Sequence, residues 1–274
     1  MSLPSLSLFC HVHCHSHILN ENAFKPLTSP NCLVRVHDVT ASMFFLGVQS
    51  NDYPTLTKIE HFTTFGVYSL SYFLMALNIG SLGHFDWELK TRSTPIYSLC
   101  NHDLKQGVGI GSNRSYKYPS DAVSPLTETD VQHAILIFDA LSKENDKNVR
   151  KEYLKGLYHY GLDFFDISFR KEAFANFYRS FEFFVTNRIL KAKKLKNELK
   201  QFKDVLQSLG LKPEVVQMFA EELYPLRSEQ VMHSQRQQIE IEWEQVSKMK
   251  FLTDVTMRSS YKPIWEKDFD ANSR

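Results

Sequence analysis

Between Glu221 and Ser234 the chain reads Glu-Glu-Leu-Tyr-Pro-Leu-Arg-Ser-Glu-Gln-Val-Met-His-Ser, which places five residues between Arg227 and His233. An imidazole has an unperturbed pKa of about 6.5, so His233 can take up or return a proton near neutral pH. A guanidinium is permanently charged and offers a planar fork matched to phosphate oxygens, which suits Arg227 to stabilising a crowded phosphate. The two types together supply what metal-free cleavage of a phosphodiester by a neighbouring hydroxyl requires: a base, an acid and positive charge on the transition state. On one helix, six steps of about 100° set the groups about 120° apart around the axis and about 9 Å along it. One copy aims both at a single point only through the length of the arginine, whereas two facing copies could combine them. The alternative is an arginine that neutralises acidic neighbours and a partly buried helix histidine.

Two other groupings could carry chemistry. The run Arg188, Lys191, Lys193, Lys194, Lys196, Lys200 and Lys203, opposed only by Glu198 and Asp204, is the strongest charge bias in the chain. Such a run is usually a solvated helix face, and contact with a polyanion is the alternative. Near the N-terminus, Cys10-His11-Val12-His13-Cys14-His15-Ser16-His17 packs potential metal ligands together. In a strand, alternation sends the histidines to one face and the cysteines to the other, which splits the set. A structural strand or a flexible terminus is therefore expected, with no metal and no cofactor. The sequence contains no Gly-x-Ser-x-Gly, Walker, His-Glu-x-x-His or EF-hand motif.

The elements that position these residues fall into two parts. Residues 1–115 read as a mixed, β-containing domain: Cys32–His37, Phe44–Val48 and Phe85–Leu89 are strand-like, and Tyr68–Ile79 is helical. Residues 62–85 lack Asp, Glu, Lys and Arg, yet their Ser, Thr, Asn, His and Gly content and the missing basic flank favour a buried helix over a membrane span. Asn101–Pro125, rich in Gly, Ser and Pro, reads as a linker or long loop, and its Gly107-x-Gly-x-Gly111 lacks the Lys-Ser/Thr of a phosphate cradle.

Residues 116–274 read as an all-α bundle. Thr129-x-x-Gln132 is a capping-box signal ahead of an apolar face, and helices are expected over Val149–Phe165, Lys171–Leu209, Pro213–Glu222, Leu226–Gln235 and Ile239–Arg258. Leu195, Leu199, Phe202, Leu206 and Leu209 form a narrow seam suited to packing within the domain. The fold class expected is α+β. A net charge of +1 steers the whole chain toward no charged partner, and four cysteines with no apparent leader suggest reduced thiols in the cytoplasm.

The Arg227-x5-His233 spacing, its Tyr224 and Leu226 lead-in, and the aromatic run Phe177-Tyr178-Arg179-Ser180-Phe181-Glu182-Phe183-Phe184 lie within this helical region. This part resembles the HEPN ribonuclease family, closest to its Apea-like branch. The resemblance implies a metal-independent endoribonuclease acting on RNA, a composite site at a homodimer interface, and a toxin or antiviral role in prokaryotes. It also implies that Glu182 orients Arg227, where a place on a solvated face is the alternative. The N-terminal part would sense a trigger or bind a regulatory partner. The competing reading is a catalytically inactive HEPN-like module that binds protein or nucleic acid.

Overall fold

The computed structural model describes residues 6–29, 32–50, 56–87, 97–100, 107–110, 124–144, 147–160, 162, 168–192, 195–227 and 240–272. In chain order the strands are β1 (Leu6–Cys14), β2 (His17–Ile18), β3 (Val34–His37), β4 (Met43–Ser50), β5 (Phe85–Trp87), β6 (Tyr97–Cys100), β7 (Gly107–Ile110) and β8 (Ser124–Pro125). The helices are α1 (Leu56–Ser81), α2 (Glu128–Glu144), α3 (Lys147–Tyr160), α4 (Arg170–Phe183), α5 (Glu198–Ser208), α6 (Pro213–Met218), the single turn α7 (Tyr224–Leu226) and α8 (Trp243–Asn272). The chain is α+β, as expected.

The main sheet is antiparallel in the order β3-β4-β1-β5. Alternation along β1 buries Val12 and Cys14 against Phe44, Leu46 and Val48 of β4, and leaves Phe9 on the opposite face, half exposed. His11 of that second face sits edge-on to Phe45, with ring centroids 4.0 Å apart. The strand ends at Cys14, so His15 and His17 leave the alternation expected for the cysteine and histidine cluster. Cys10, Cys14 and Cys32 are free thiols, and burial pushes the Cys10 thiol up to about 12.

Helix α1 lies between this sheet and the C-terminal helices, packing on α2, α8 and β4. That position explains an apolar surface all round it: Phe73, Leu74, Met75, Ala76, Leu77 and Ile79 are buried. Among the described residues it is the one helix long and apolar enough to cross a membrane, and most of its apolar stretch is covered by the fold. Its polar residues have internal tasks. Asn78 donates to Leu74 O and Phe85 O, both 2.9 Å, and accepts from Phe85 N at 3.0 Å, clamping β5 to the helix.

Several elements differ from the sequence reading. The capping box of α2 is Thr127-x-x-Asp130: Asp130 N donates to Thr127 Oγ1 at 3.2 Å, and Thr127 N donates to Asp130 Oδ2 at 3.0 Å. The helix therefore starts at Glu128, ahead of the expected Thr129 cap. Gly107–Ile110, expected as loop, pairs with Tyr97–Cys100. The single helix expected over Lys171–Leu209 is broken. After α4 the backbone widens into a π-helical turn, Phe184–Ile189, Lys191 takes a φ of 50°, and Asn197 caps α5 by accepting from Lys200 N. Phe202 and Leu206 of the seam are buried, so the stretch does pack within the fold.

The boundary expected near residue 115 lies outside the described residues. Buried side chains of the sheet, α1 and the C-terminal helices form one contiguous cluster, and β2 pairs in parallel with β8 from beyond that boundary.

Candidate functional site

Arg227 follows the turn α7, which continues from a second π-helical turn, Phe219–Leu223, at the end of α6. A π turn takes in one extra residue and so rotates everything after it by about 100° relative to a regular helix. Buried Phe219, Leu223 and Leu226 anchor this segment in the core, and Arg227 is left at its edge.

Two carboxylates hold the guanidinium. Nη1 donates to Glu198 Oε1 at 2.7 Å, and Nη2 donates to Glu182 Oε1 at 3.2 Å. The Tyr178 ring lies beneath, its centroid 5.2 Å from Arg227 Cζ, and the Tyr178 hydroxyl donates to Glu198 Oε1 at 3.4 Å. Glu182 comes from the end of α4, while Glu198 comes from the first turn of α5, which the Asn197 cap fixes. All three charged side chains are partly exposed. Burial raises the Glu182 carboxyl above its usual range, against the opposing pull of Arg227. A guanidinium carries five N–H donors, so two carboxylate contacts leave others for a phosphate oxygen.

Of the expected site residues, Arg227 and Glu182 are brought together, and His233 lies outside the described residues. Glu198 and Tyr178 were not singled out as site residues from sequence. The acidic first-turn position of a capped helix was the signal available for Glu198.

The expected polyanion-binding run is dispersed. Arg188 turns toward the core, donating to the Tyr261 hydroxyl at 2.8 Å with its Cζ 4.3 Å from that ring centroid. Lys191, Lys196 and Lys200 are exposed and Lys203 is half-buried, while Lys193 and Lys194 lie outside the described residues.

A different set of residues could hold a metal ion by distance. His15 Nε2 is 3.0 Å from Asp86 Oδ1, and His84 Nε2 is 3.9 Å from Asp86 Oδ2. His84 and Asp86 are buried, and His15 is partly exposed. Burial pushes His84 down to about 3, so it is a neutral imidazole at physiological pH. Burial alone would push the Asp86 carboxyl up, but hydrogen bonds from His15 and His84 outweigh it and hold the group well below the carboxylate range.

No protein-family model, curated protein or solved structure matches this chain.

Proposed function

We propose that the chain is a metal-independent endoribonuclease of the HEPN type, in which Arg227 stabilises charge on the phosphate and His233 moves the proton. The observation that carries this reading is the contact of Arg227 with Glu182, the pairing that the family resemblance implies, reinforced by Glu198. A guanidinium clamped by two carboxylates over a tyrosine ring keeps one orientation, which is what a preorganised phosphate site needs. A helical segment that only filled the core would need no charge here.

His233 serves as base toward the 2'-hydroxyl or as acid toward the leaving 5'-oxygen, and a second protomer supplies the complementary group. Arginine and histidine suffice for this chemistry, so no divalent ion enters the scheme. Residues 1–115 are assigned a sensing or regulatory part, and the setting is a cytoplasmic toxin or antiviral system.

The test is incubation of purified protein with mixed RNA, followed by analysis for products ending in a 2',3'-cyclic phosphate. Arg227→Ala and His233→Ala each abolish cleavage while folding is retained, and wild-type activity survives EDTA. Full cleavage by the His233→Ala protein, or strict dependence on added Mg²⁺, overturns the mechanism.

A further inference from the structure

A second basic surface, apart from the lysine run after α4, is formed by helices α3 and α4. A groove of about 1280 Å³ lies between α1, α3 and α4, and Lys147, Arg150, Lys151, Lys155, Lys171 and Arg179 line it. The opposing charge is Glu172 on its wall and Glu152 beside it.

Two of these cations are fixed by their neighbours. Arg150 is held between the Tyr68 and Tyr72 rings of α1, its Cζ 4.2 Å and 4.4 Å from their centroids. Its Nε is buried against these rings, so the guanidinium edge is the part that lines the groove. Arg179 donates from Nε to Glu152 Oε2 at 2.9 Å and from Nη2 to Asn176 Oδ1 at 2.6 Å, which holds it in place on the wall. Aromatic side chains are interleaved with the charges: Tyr68, Trp87 and Tyr158 reach the groove, and Tyr68 and Tyr158 are each more than two-fifths exposed.

The α4 wall of the groove continues to the residue that holds Arg227. Arg179 lines it, and Glu182, three residues later on the same face of α4, lines the next depression together with Asn187 and Lys191. Glu182 is also the carboxylate that holds Arg227. Arg179 of the groove and Glu182, which holds Arg227, thus lie about 4.5 Å apart along the axis of α4.

We infer that this groove binds the backbone of single-stranded RNA and leads it to Arg227. The inference rests on the ribonuclease reading for the identity of the strand. Fixed cations spaced along a channel suit successive phosphates, and exposed rings between them suit unpaired bases, which can stack where paired ones cannot. Arg150 and Arg179 supply fixed contacts, and Lys147, Lys151 and Lys171 supply mobile ones.

The experiment uses the full chain and a 2'-O-methyl single-stranded oligonucleotide, which binds but cannot be cleaved, with affinity followed by fluorescence anisotropy across a salt series. The Lys147→Gln/Lys151→Gln/Lys171→Gln protein is expected to lose about tenfold or more in affinity at low salt. Its slope of log affinity against log salt should also fall by about 2, at about 0.7 for each phosphate contact removed. Tyr158→Ala should weaken binding several-fold while leaving the slope unchanged, because stacking releases no counterions. Wild-type affinity and slope in the triple variant would overturn the groove while leaving the ribonuclease reading standing. So would transfer of the loss to Lys196→Gln/Lys200→Gln at the start of α5, or tighter binding of a duplex of equal length. Absence of binding by the wild-type protein would remove the ribonuclease reading, and the groove with it.

Discussion

The ammonium of Lys250 lies 2.6 Å from the carbonyl oxygen of Gly83, so a buried charge on α8 is tied to the turn that links α1 to β5. The same ammonium lies 2.6 Å from Asp254 Oδ2, and Asp254 accepts from the Tyr153 hydroxyl at 2.6 Å. A chain of polar contacts thus runs from the N-terminal sheet through α8 to α3, with each member buried. Removing one partner of a buried ion pair leaves an uncompensated charge at a cost of about 3–5 kcal/mol. Lys250→Met is expected to destabilise the protein by about that amount in urea unfolding. Adding Asp254→Asn should restore much of the loss, because the amide still accepts from Tyr153 and no charge remains buried. A loss below about 1 kcal/mol for Lys250→Met would show that the network adds little beyond packing.

Contact between α1 and α2 is close enough that a single methyl group would disturb it. A Cβ added at Gly80 would lie 2.7 Å from Ala134 N and 3.0 Å from Ala134 Cα. Those are backbone atoms, which cannot turn aside as a side chain can, so the helices must move apart. Overpacking of this kind costs about 1–3 kcal/mol, which outweighs the gain in helix propensity from Gly to Ala of about 1 kcal/mol. Gly80→Ala should therefore lower the urea midpoint. An unchanged or higher midpoint would mean that the helix pair adjusts without strain.

What could be read from the sequence was what depends on neighbours in the chain. The short extended run Phe44–Val48 and the apolar stretch around Tyr68–Ile79 are both local patterns, and both became the elements expected. The break after α4 could not be read that way. The apolar and basic pattern runs through it, and the interruption depends on a π turn and on a non-glycine residue, Lys191, with positive φ. The pairing of His15 with Asp86 spans 71 positions and needs the sheet to form first. Basic residues crowded along 188–203 drew attention by density in the chain. The groove draws its cations from two helices, four from α3 and two from α4, with Glu152 and Glu172 among them, so its sign emerges only once α3 and α4 pack. Glu182 was found by resemblance, whereas Glu198 was read only as relief of a basic run.

If Glu182 and Glu198 position the guanidinium, their loss should affect turnover more than substrate affinity. Glu182→Gln and Glu198→Gln keep the size of each side chain and remove its charge. Each is expected to lower kcat about tenfold, and the pair about a hundredfold, with KM little changed, since a misplacement of about 1 Å can cost that much. Arg227→Lys keeps the charge but offers a point charge in place of a planar fork, so it should behave like the double variant. Stability should change little, because these ion pairs are partly exposed. A double glutamine variant with kcat within twofold of wild type would assign both carboxylates to the surface and leave Arg227 without positioning residues.

Acid sensitivity should trace largely to His84. Its side chain is fully buried between the His15 and Tyr160 rings, with Asp86, the Lys250 ammonium and His15 acting on it electrostatically, and burial pushes its pKa down to about 3. The unfolded chain titrates near 6.5, so between those values the unfolded state binds a proton that the folded state refuses. The stabilising contribution is complete above about pH 6.5 and is lost as pH falls toward 3. From pH 7.5 to 5 the loss from this one group comes to about 2 kcal/mol. His17 and His133, also lowered by burial, act in the same direction, while Asp86 matters only below its unfolded value near 3.8. Asp254 and Glu182, both raised by burial, oppose the trend, Glu182 only weakly because it is partly exposed. Urea unfolding of the wild-type protein should therefore show a clear drop in stability at pH 5, and His84→Gln should remove most of the pH dependence while lowering stability at pH 7.5. In the folded wild-type protein the His84 ring resonances should stay fixed from pH 7.5 to 5. A ring that titrates near pH 6 would show that water reaches this imidazole and would place the acid response elsewhere.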